Sequence, residues 1–197
     1  PTSPYAEKVS SYLVEVYMNT RSYDAALKSI DRIAKPSAQI LEAKQKILFQ
    51  LGTQSFANAD FEQALKYLNQ SIAIGQYNRQ TKADAYYWCG ESYYRLNRMV
   101  EAARDFNAYL QLTTQPNNEM YALANYNLGY IAFHRKDYMQ ASNYFQKYVQ
   151  LEKGENATAL ADAYNRIGDC HLHVRNFEEA KQYYSQAEPV SYTHLTL

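Results

Sequence analysis

The sequence predicts an all-α fold built from repeated pairs of helices. Residues that interrupt helices are scarce, because the 197-residue chain contains only 6 Gly and 5 Pro. Four of the six glycines recur every 38 or 39 residues, at Gly52, Gly90, Gly129 and Gly168. Apolar residues follow the helical spacing around each of them. A recurrence of this length indicates a stack of similar helical repeats.

Each repeat has the same apolar pattern after its glycine. An alanine lies twelve residues after the glycine, and large apolar residues lie three before and four after that alanine. The alanines are Ala64, Ala102, Ala141 and Ala180. An earlier, degenerate copy has Ala26 at the alanine position and Val14 at the glycine position. About five repeats therefore cover residues 5–187.

Every repeat divides into a first helix with the glycine and a second helix with the alanine. Because glycine costs a helix about 1 kcal/mol relative to alanine, its recurrence predicts that the neighbouring helix approaches too closely for a side chain. The predicted helices span residues 5–19, 22–34, 38–57, 60–74, 79–96, 98–113, 117–135, 137–151, 156–174 and 176–187.

The segments AYYWCGESYYRLNRMVEAARDF and NYNLGYIAFHRKDYMQASNYF best represent this pattern, which resembles the tetratricopeptide repeat (TPR) family. The resemblance implies a right-handed α-solenoid of about five stacked antiparallel helix pairs with a concave face. The period exceeds the usual length of roughly 34 residues, and the extra residues fall between repeats. Long-period repeats rich in Tyr, Gln and Asn resemble those of Bacteroidetes-type bacteria, and we expect a fragment of a longer array.

The last eight residues, VSYTHLTL, do not continue the repeat. They resemble the translation of a transposase adapter used to prepare DNA for sequencing. The sequence therefore predicts a TPR solenoid over residues 1–189 and a non-native tail, Val190–Leu197. Artefactual segments of this kind are set aside in reasoning about the fold.

Composition argues against several classes of function. The formal net charge is zero, whereas proteins that bind nucleic acid need a basic excess or stripe. The longest apolar stretch, residues 128–133, is too short to insert into a membrane. Cys89 and Cys170 are predicted to be small core residues, which leaves the cellular compartment open.

The chain offers no convincing catalytic or metal-binding motif. Its glycines are isolated, so no phosphate-binding loop is formed. Cys170, His171 and His173 lack a second ligand pair at metal spacing. We therefore predict no enzymatic activity, no metal and no cofactor.

A binding function is predicted for the first helices, on what we call the groove face. It comprises the positions three before and one, four and five after each glycine, which share one helical side. With two bordering residues, the predicted partner-binding residues are Phe49, Phe56, Tyr87, Trp88, Tyr94, Arg95, Tyr126, Tyr130, Phe133 and Arg166. Aromatic residues and Arg are typical of interfaces, although the rings alternatively only thicken the stack.

The sequence thus predicts a non-catalytic scaffold that binds a peptide or helix of a partner protein in the concave groove. Two alternatives stay open: a sensory region of a signalling protein or transcription regulator, and a helical sugar-binding envelope lipoprotein. The compartment is not determined, with the periplasm or cell envelope favoured over the cytoplasm. The oligomeric state is also not determined.

Overall fold

A computed structural model describes residues 4–153 and 156–192. The described residues form ten α-helices and no strand, which confirms the all-α fold. The helices are α1 (Pro4–Asn19), α2 (Tyr23–Asp31), α3 (Ala38–Ala57), α4 (Phe61–Ala73), α5 (Arg79–Arg95), α6 (Met99–Leu112), α7 (Glu119–His134), α8 (Tyr138–Leu151), α9 (Ala157–His173) and α10 (Phe177–Tyr192). None of the helices in this part of the chain combines the length and apolar character that crossing a bilayer requires.

The chain divides into two compact units. Unit 1 contains residues 1–114 with α1 to α6, and unit 2 contains residues 115–197 with α7 to α10. Within each unit, every first helix packs against the second helix of its own repeat. Second helices also pack against the next first helix, as α4 does on α5 and α8 on α9. Each unit is therefore a stack of helix pairs of the predicted kind.

The end of α10 is the one boundary that the sequence placed wrongly by more than three residues. The prediction ended this helix at residue 187, but it continues through Pro189 to Tyr192. It therefore enters the segment assigned to the non-native tail, although proline usually interrupts a helix. Proline keeps a helical φ and removes only its own N–H bond, to the carbonyl of Ser185, so the helix can continue across it. Residues 193–197 lie outside the described residues.

The turn inside each repeat is built around one residue in the left-handed conformation. This residue lies seven positions after the glycine position and has φ between 55° and 64°. In the fourth repeat, the N–H of Lys136 donates to the carbonyl of Phe133 at 2.9 Å, and the N–H of Asp137 donates to that of Ala132 at 3.0 Å. These bonds satisfy carbonyl groups at the end of α7. The five left-handed residues are Arg21, Ala59, Asn97, Lys136 and Arg175.

Replacing Lys136 by glycine is expected to stabilise unit 2. A side chain in the left-handed region costs roughly 1 kcal/mol that glycine avoids, so Lys136→Gly should raise the free energy of unfolding by about that amount. The matched control is Asn97→Gly, because asparagine tolerates this conformation and gains less. Urea unfolding of both variants tests the prediction, and an equal gain at the two positions would contradict it.

The connection between successive repeats is a loop held by side chains of a first helix. Buried Gln45 donates from Nε2 to the carbonyl of Asn78 at 2.8 Å and accepts from the N–H of Asn78 at 3.0 Å. Asn78 in turn accepts from the N–H of Thr81 and so caps α5. The loop between the second and third repeats is therefore ordered by a side chain of α3 and by the cap of α5.

The recurring glycines lie where the second helix of the same repeat comes closest. A Cβ atom added at Gly90 would lie 2.7 Å from the Phe106 ring, and one at Gly129 would lie 2.8 Å from the Phe145 ring. The corresponding neighbours of Gly52 and Gly168 are Leu68 and Tyr184. The predicted packing reason for the glycines is therefore confirmed.

Asp105 is a charged residue in a core that consists mainly of apolar side chains. Its register position is occupied by Tyr67, Tyr144 and Tyr183 in other repeats, yet Asp105 is only 1% exposed. One carboxylate oxygen lies 2.6 Å from Nε of Arg104, whereas the other has no hydrogen-bond partner. Burial raises the pKa of Asp105, and this effect outweighs the opposing effect of Arg104.

The substitution Asp105→Asn is expected to stabilise the fold at neutral pH by about 1 kcal/mol, because a buried charge with an unpaired oxygen is removed. The folded-state pKa lies above the unfolded value of about 3.9. Asp105 therefore lowers the stability as the pH rises from about 4 through the folded-state pKa. Urea unfolding across this range should show an advantage of the variant that grows with pH. An advantage independent of pH, or one shared by Asp24→Asn at an exposed carboxylate, would contradict the assignment.

Candidate groove site

The predicted partner-binding residues lie on the four first helices α3, α5, α7 and α9. Most of their side chains are half-buried, so each keeps part of its surface open, and Arg95 is exposed. Phe49 is half-buried on α3 without a described ring contact.

Tyr87 requires a correction. Only 4% of its surface is exposed, so it offers no face to a partner. Its ring packs edge-on against Phe106 at 5.8 Å and Tyr109 at 5.4 Å between ring centres. This position, three before the glycine, faces the second helix of the same repeat, and in α5 the packing closes over it. Tyr87 is therefore a core residue.

An aromatic cluster marks the groove face of unit 1. Phe56, near the end of α3, contacts Trp88 of α5 at 4.9 Å and Phe61 at 5.3 Å between ring centres, both edge-to-face. The guanidinium carbon of Arg95 lies 6.0 Å from the centre of the Phe56 ring. Edge-to-face pairs and cation–π contacts hold such groups in fixed positions. Phe56, Trp88 and Arg95 thus form a preorganised apolar surface with a positive edge.

A network of tyrosines and carboxylates marks the groove face of unit 2. The hydroxyl of Tyr126 donates to Oδ2 of Asp162 at 2.8 Å, and the hydroxyl of Tyr130 donates to the same oxygen. Burial and Asp162 raise the pKa of Tyr130 to about 12 and shift that of Tyr126 in the same direction. Both hydroxyls therefore stay protonated at physiological pH. They link α7 to α9 and act as hydrogen-bond donors.

Arg166 lies at the centre of this network. Its Nη1 atom lies 2.6 Å from Oδ2 of Asp169, and its Nε atom lies 3.5 Å from Oδ1 of Asp162. Its guanidinium carbon is 5.9 Å from the centre of the Phe133 ring. The hydroxyl of Tyr184 donates a hydrogen bond to the other carboxylate oxygen of Asp169, Oδ1, at 2.7 Å. The short pair with Asp169 and the ring of Phe133 therefore fix the orientation of Arg166, whereas its Nε atom makes no hydrogen bond.

Three aromatic rings lie beside Arg166, near the end of α7, the start of α8 and the end of α9. Phe133 contacts Tyr138 and His173, with ring centres at 5.5 and 6.0 Å. His173 stacks on Tyr138 at 4.2 Å with the two planes almost parallel. Phe133, Tyr138 and His173 thus provide a half-open aromatic surface beside Arg166.

The two cysteines and His171 belong to the packing of the repeats. Cys89 and Cys170 are buried and free, as predicted for small core residues. His171 stacks on Tyr183 with ring centres 5.5 Å apart. Within residues 4–153 and 156–192, no group of three or more His, Cys, Asp or Glu side chains is placed to hold a metal ion.

The sequence interpretation did not identify the role of Asp162. This residue lies six positions before Gly168, one turn away from the groove-face positions. Its register equivalent in α5 is Asp84, whose carboxylate instead accepts from Gln80 at 2.7 Å. Register alone therefore could not show that Asp162 accepts two tyrosine hydroxyls. Only the positions of α7 and α9 within unit 2 reveal it.

Comparisons with known proteins agree with this architecture. Two tetratricopeptide repeat models match the chain, one over residues 49–119 and the other over residues 120–191. No curated protein sequence matches the chain.

Similar solved structures include a crystal structure of MamA, with 18% identity, a TM-score of 0.64, and coverage of 93% of this chain and 97% of that one. BtubC from P. vanneervenii has 13% identity, a TM-score of 0.67, and coverage of 95% and 80%. YrrB, described as a TPR protein with an unusual peptide-binding site, has 16% identity, a TM-score of 0.63, and coverage of 92% and 84%. At these identities the likeness concerns the fold alone.

Proposed function

Because the chain belongs to the tetratricopeptide repeat family, we propose that it is a non-catalytic scaffold that binds a partner protein through its groove face. Members of this family are typically interaction scaffolds. The bound segment is an extended peptide or an amphipathic helix. The description of YrrB as having a peptide-binding site supports this class of ligand.

The observation that carries the proposal is the pair of half-open aromatic surfaces on the first helices. In unit 1 the surface is formed by Phe56, Trp88 and Arg95, and in unit 2 it is formed by Phe133 beside Arg166. Rigid aromatic side chains and arginine are the residue types that dominate binding energy at interfaces. Their neighbours already hold them in place, so a partner would pay little for ordering them.

The polar groups of the groove face disfavour one kind of peptide ligand. Some TPR proteins bind a C-terminal carboxylate, which requires an excess of basic groups. Here Asp162 and Asp169 on α9 are acidic and half-buried, and Arg166 is already paired with Asp169. We therefore infer that apolar and aromatic side chains of the partner, rather than its terminal carboxylate, provide the contacts.

Site-specific photo-crosslinking tests the location. Peptides that bind the full chain would first be selected from a displayed random library. A photoreactive phenylalanine analogue would then replace Phe133 in one variant and Met139 in another. Met139 is a matched control, because it is a large side chain 55% exposed on a second helix. We expect crosslinks from position 133 only. Crosslinks from position 139 alone, or a selection that yields no binding peptide, would contradict the proposal.

A further inference from the structure

The carboxylate of Asp162 is satisfied by its neighbours at one oxygen only. Its Oδ2 atom accepts from the hydroxyls of Tyr126 and Tyr130. Its Oδ1 atom lies 3.5 Å from Nε of Arg166, which makes no hydrogen bond, and no other donor among the described residues reaches it. The side chain of Asp162 is 32% exposed. One acceptor oxygen of Asp162 is therefore available to a ligand.

The charges in contact with Asp162 leave one negative charge unbalanced. Two carboxylates, Asp162 and Asp169, share a single guanidinium, that of Arg166. Arg166 forms its short contact with Asp169, at 2.6 Å between Nη1 and Oδ2, so the charge of Asp162 is the one left over. Because opposite charges attract across an interface, this part of the groove face is complementary to a cation.

The two tyrosines add acceptors at the same place. Both hydroxyl hydrogens are donated to Asp162, so the hydroxyl oxygens keep their lone pairs for other donors. The rings of Tyr126 and Tyr130 also contact each other edge-on, with centres 5.2 Å apart, which holds both in position. An ammonium group has three N–H donors, which match the Oδ1 atom of Asp162 and the two hydroxyl oxygens.

Apolar surface suited to the stem of a lysine lies beside this carboxylate. Tyr130 and Phe133 are neighbours at i and i+3 on α7, and both are half-buried. Lysine packs its methylene groups along such a surface while its ammonium group stays with polar partners. An arginine fits less well, because its planar fork binds both oxygens of a carboxylate and Oδ2 of Asp162 already has two donors.

We propose that the segment bound in the groove of unit 2 contains a lysine whose ammonium group binds Asp162 between α7 and α9. This inference rests on the proposed function of the groove face, and it adds one basic residue to the apolar and aromatic side chains of the partner. The contact would give specificity, because an apolar segment without the lysine leaves the charge of Asp162 unbalanced.

The site has no counterpart around Asp84, the register equivalent of Asp162 on α5. At the positions of Tyr126 and Tyr130, the preceding first helix α3 has Phe49 and Thr53. The carboxylate of Asp84 instead accepts from the side chain of Gln80 in its own helix, at 2.7 Å. Asp84→Asn is therefore a matched control for Asp162→Asn.

Peptides selected on the full chain from a displayed random library test the proposal from the side of the partner. We expect the peptides that crosslink from position 133 to share a lysine. Replacing this lysine by norleucine keeps the apolar stem and removes the charge, so the affinity should fall at least about tenfold. Arginine at the same place should recover only part of that loss, because a single carboxylate oxygen is available to its fork.

The substitution Asp162→Asn tests the same contact from the side of the chain. It keeps the shape of the side chain and removes its charge, so it should weaken binding of the lysine peptide at least about tenfold. The norleucine peptide should bind this variant and the wild type equally, because the contact is already absent. Asp84→Asn should leave both affinities unchanged. Circular dichroism melting establishes that both variants are folded.

The outcomes separate this inference from the function on which it rests. Crosslinking peptides that share no lysine would overturn the inference, as would a norleucine peptide that binds as tightly as the lysine peptide. An Asp162→Asn variant that weakens both peptides equally would also overturn it. Each of these results leaves binding at the groove face intact. If no selected peptide crosslinks from position 133, the proposed function and the inference both fail.

Discussion

The substitution Gly129→Val is expected to lower the free energy of unfolding by about 2–3 kcal/mol. The first atom of any side chain at this position would lie 2.8 Å from two carbon atoms of the Phe145 ring. The Phe145 ring is fully buried, so it cannot turn away without displacing other core side chains. Gly90→Val should behave in the same way, because its neighbour is the buried ring of Phe106.

The same crossing at Gly52 extends this prediction. A Cβ atom added there would lie 2.6 Å from Cγ of Leu68, which is also fully buried, so Gly52→Val should cost a similar amount. Asn143→Val serves as a control for placing a β-branched residue at an exposed helical position. Urea unfolding of the three variants provides the comparison. If Gly129→Val were as stable as Asn143→Val, or more stable, the close approach of the two helices at Gly129 would be refuted.

The helices could be predicted closely because their signals are local. The recurring glycine and alanine set the register of both helices, and the apolar spacing fixes their buried sides. Side chains that cap first helices, such as those of Ser37 and Asn118, lie at the observed starts of α3 and α7. The left-handed turn residues were not predictable in the same way. Lys136 and Arg175 lack the glycine or asparagine that normally signals such a position.

The candidate site was harder to predict because it depends on distances between helices. Tyr87 and Tyr126 occupy the same position relative to their glycines, yet Tyr87 is buried and Tyr126 is only half-buried. The sequence pattern predicts the side of the helix but not how completely the neighbouring helix covers it. The bonds from Tyr126 and Tyr130 to Asp162 also connect residues more than 30 positions apart. No local pattern predicts contacts of that kind.

The burial of Asp105 could not be predicted from the repeat pattern. The register predicts a tyrosine there, by analogy with Tyr67 and Tyr144, and the sequence gives an aspartate. An acidic residue in such a position would normally be assigned to the surface. Its burial follows from the packing around this one repeat, because Tyr67 and Tyr144 at the same register position are only half-buried.

A large loss of affinity for the partner is expected when rings of the groove face are removed. The double variant Tyr94→Ala with Phe133→Ala removes one half-open ring from each unit. Truncating such rings at an interface typically costs at least about 2 kcal/mol, or roughly a 30-fold loss of affinity. Both rings are only half-buried in the free chain, so most of the loss should appear in binding rather than in folding.

Isothermal titration calorimetry with a peptide selected on the full chain tests the central claim, that a partner binds to the groove face. Met139→Ala with Val100→Ala is the control, since it removes two exposed apolar side chains from second helices. Thermal melting establishes that both double variants are folded. We expect the groove variant to bind the peptide at least about 30-fold more weakly than the control and the wild type. Equal affinity of a folded groove variant, or a loss of affinity confined to the control, would contradict the claim.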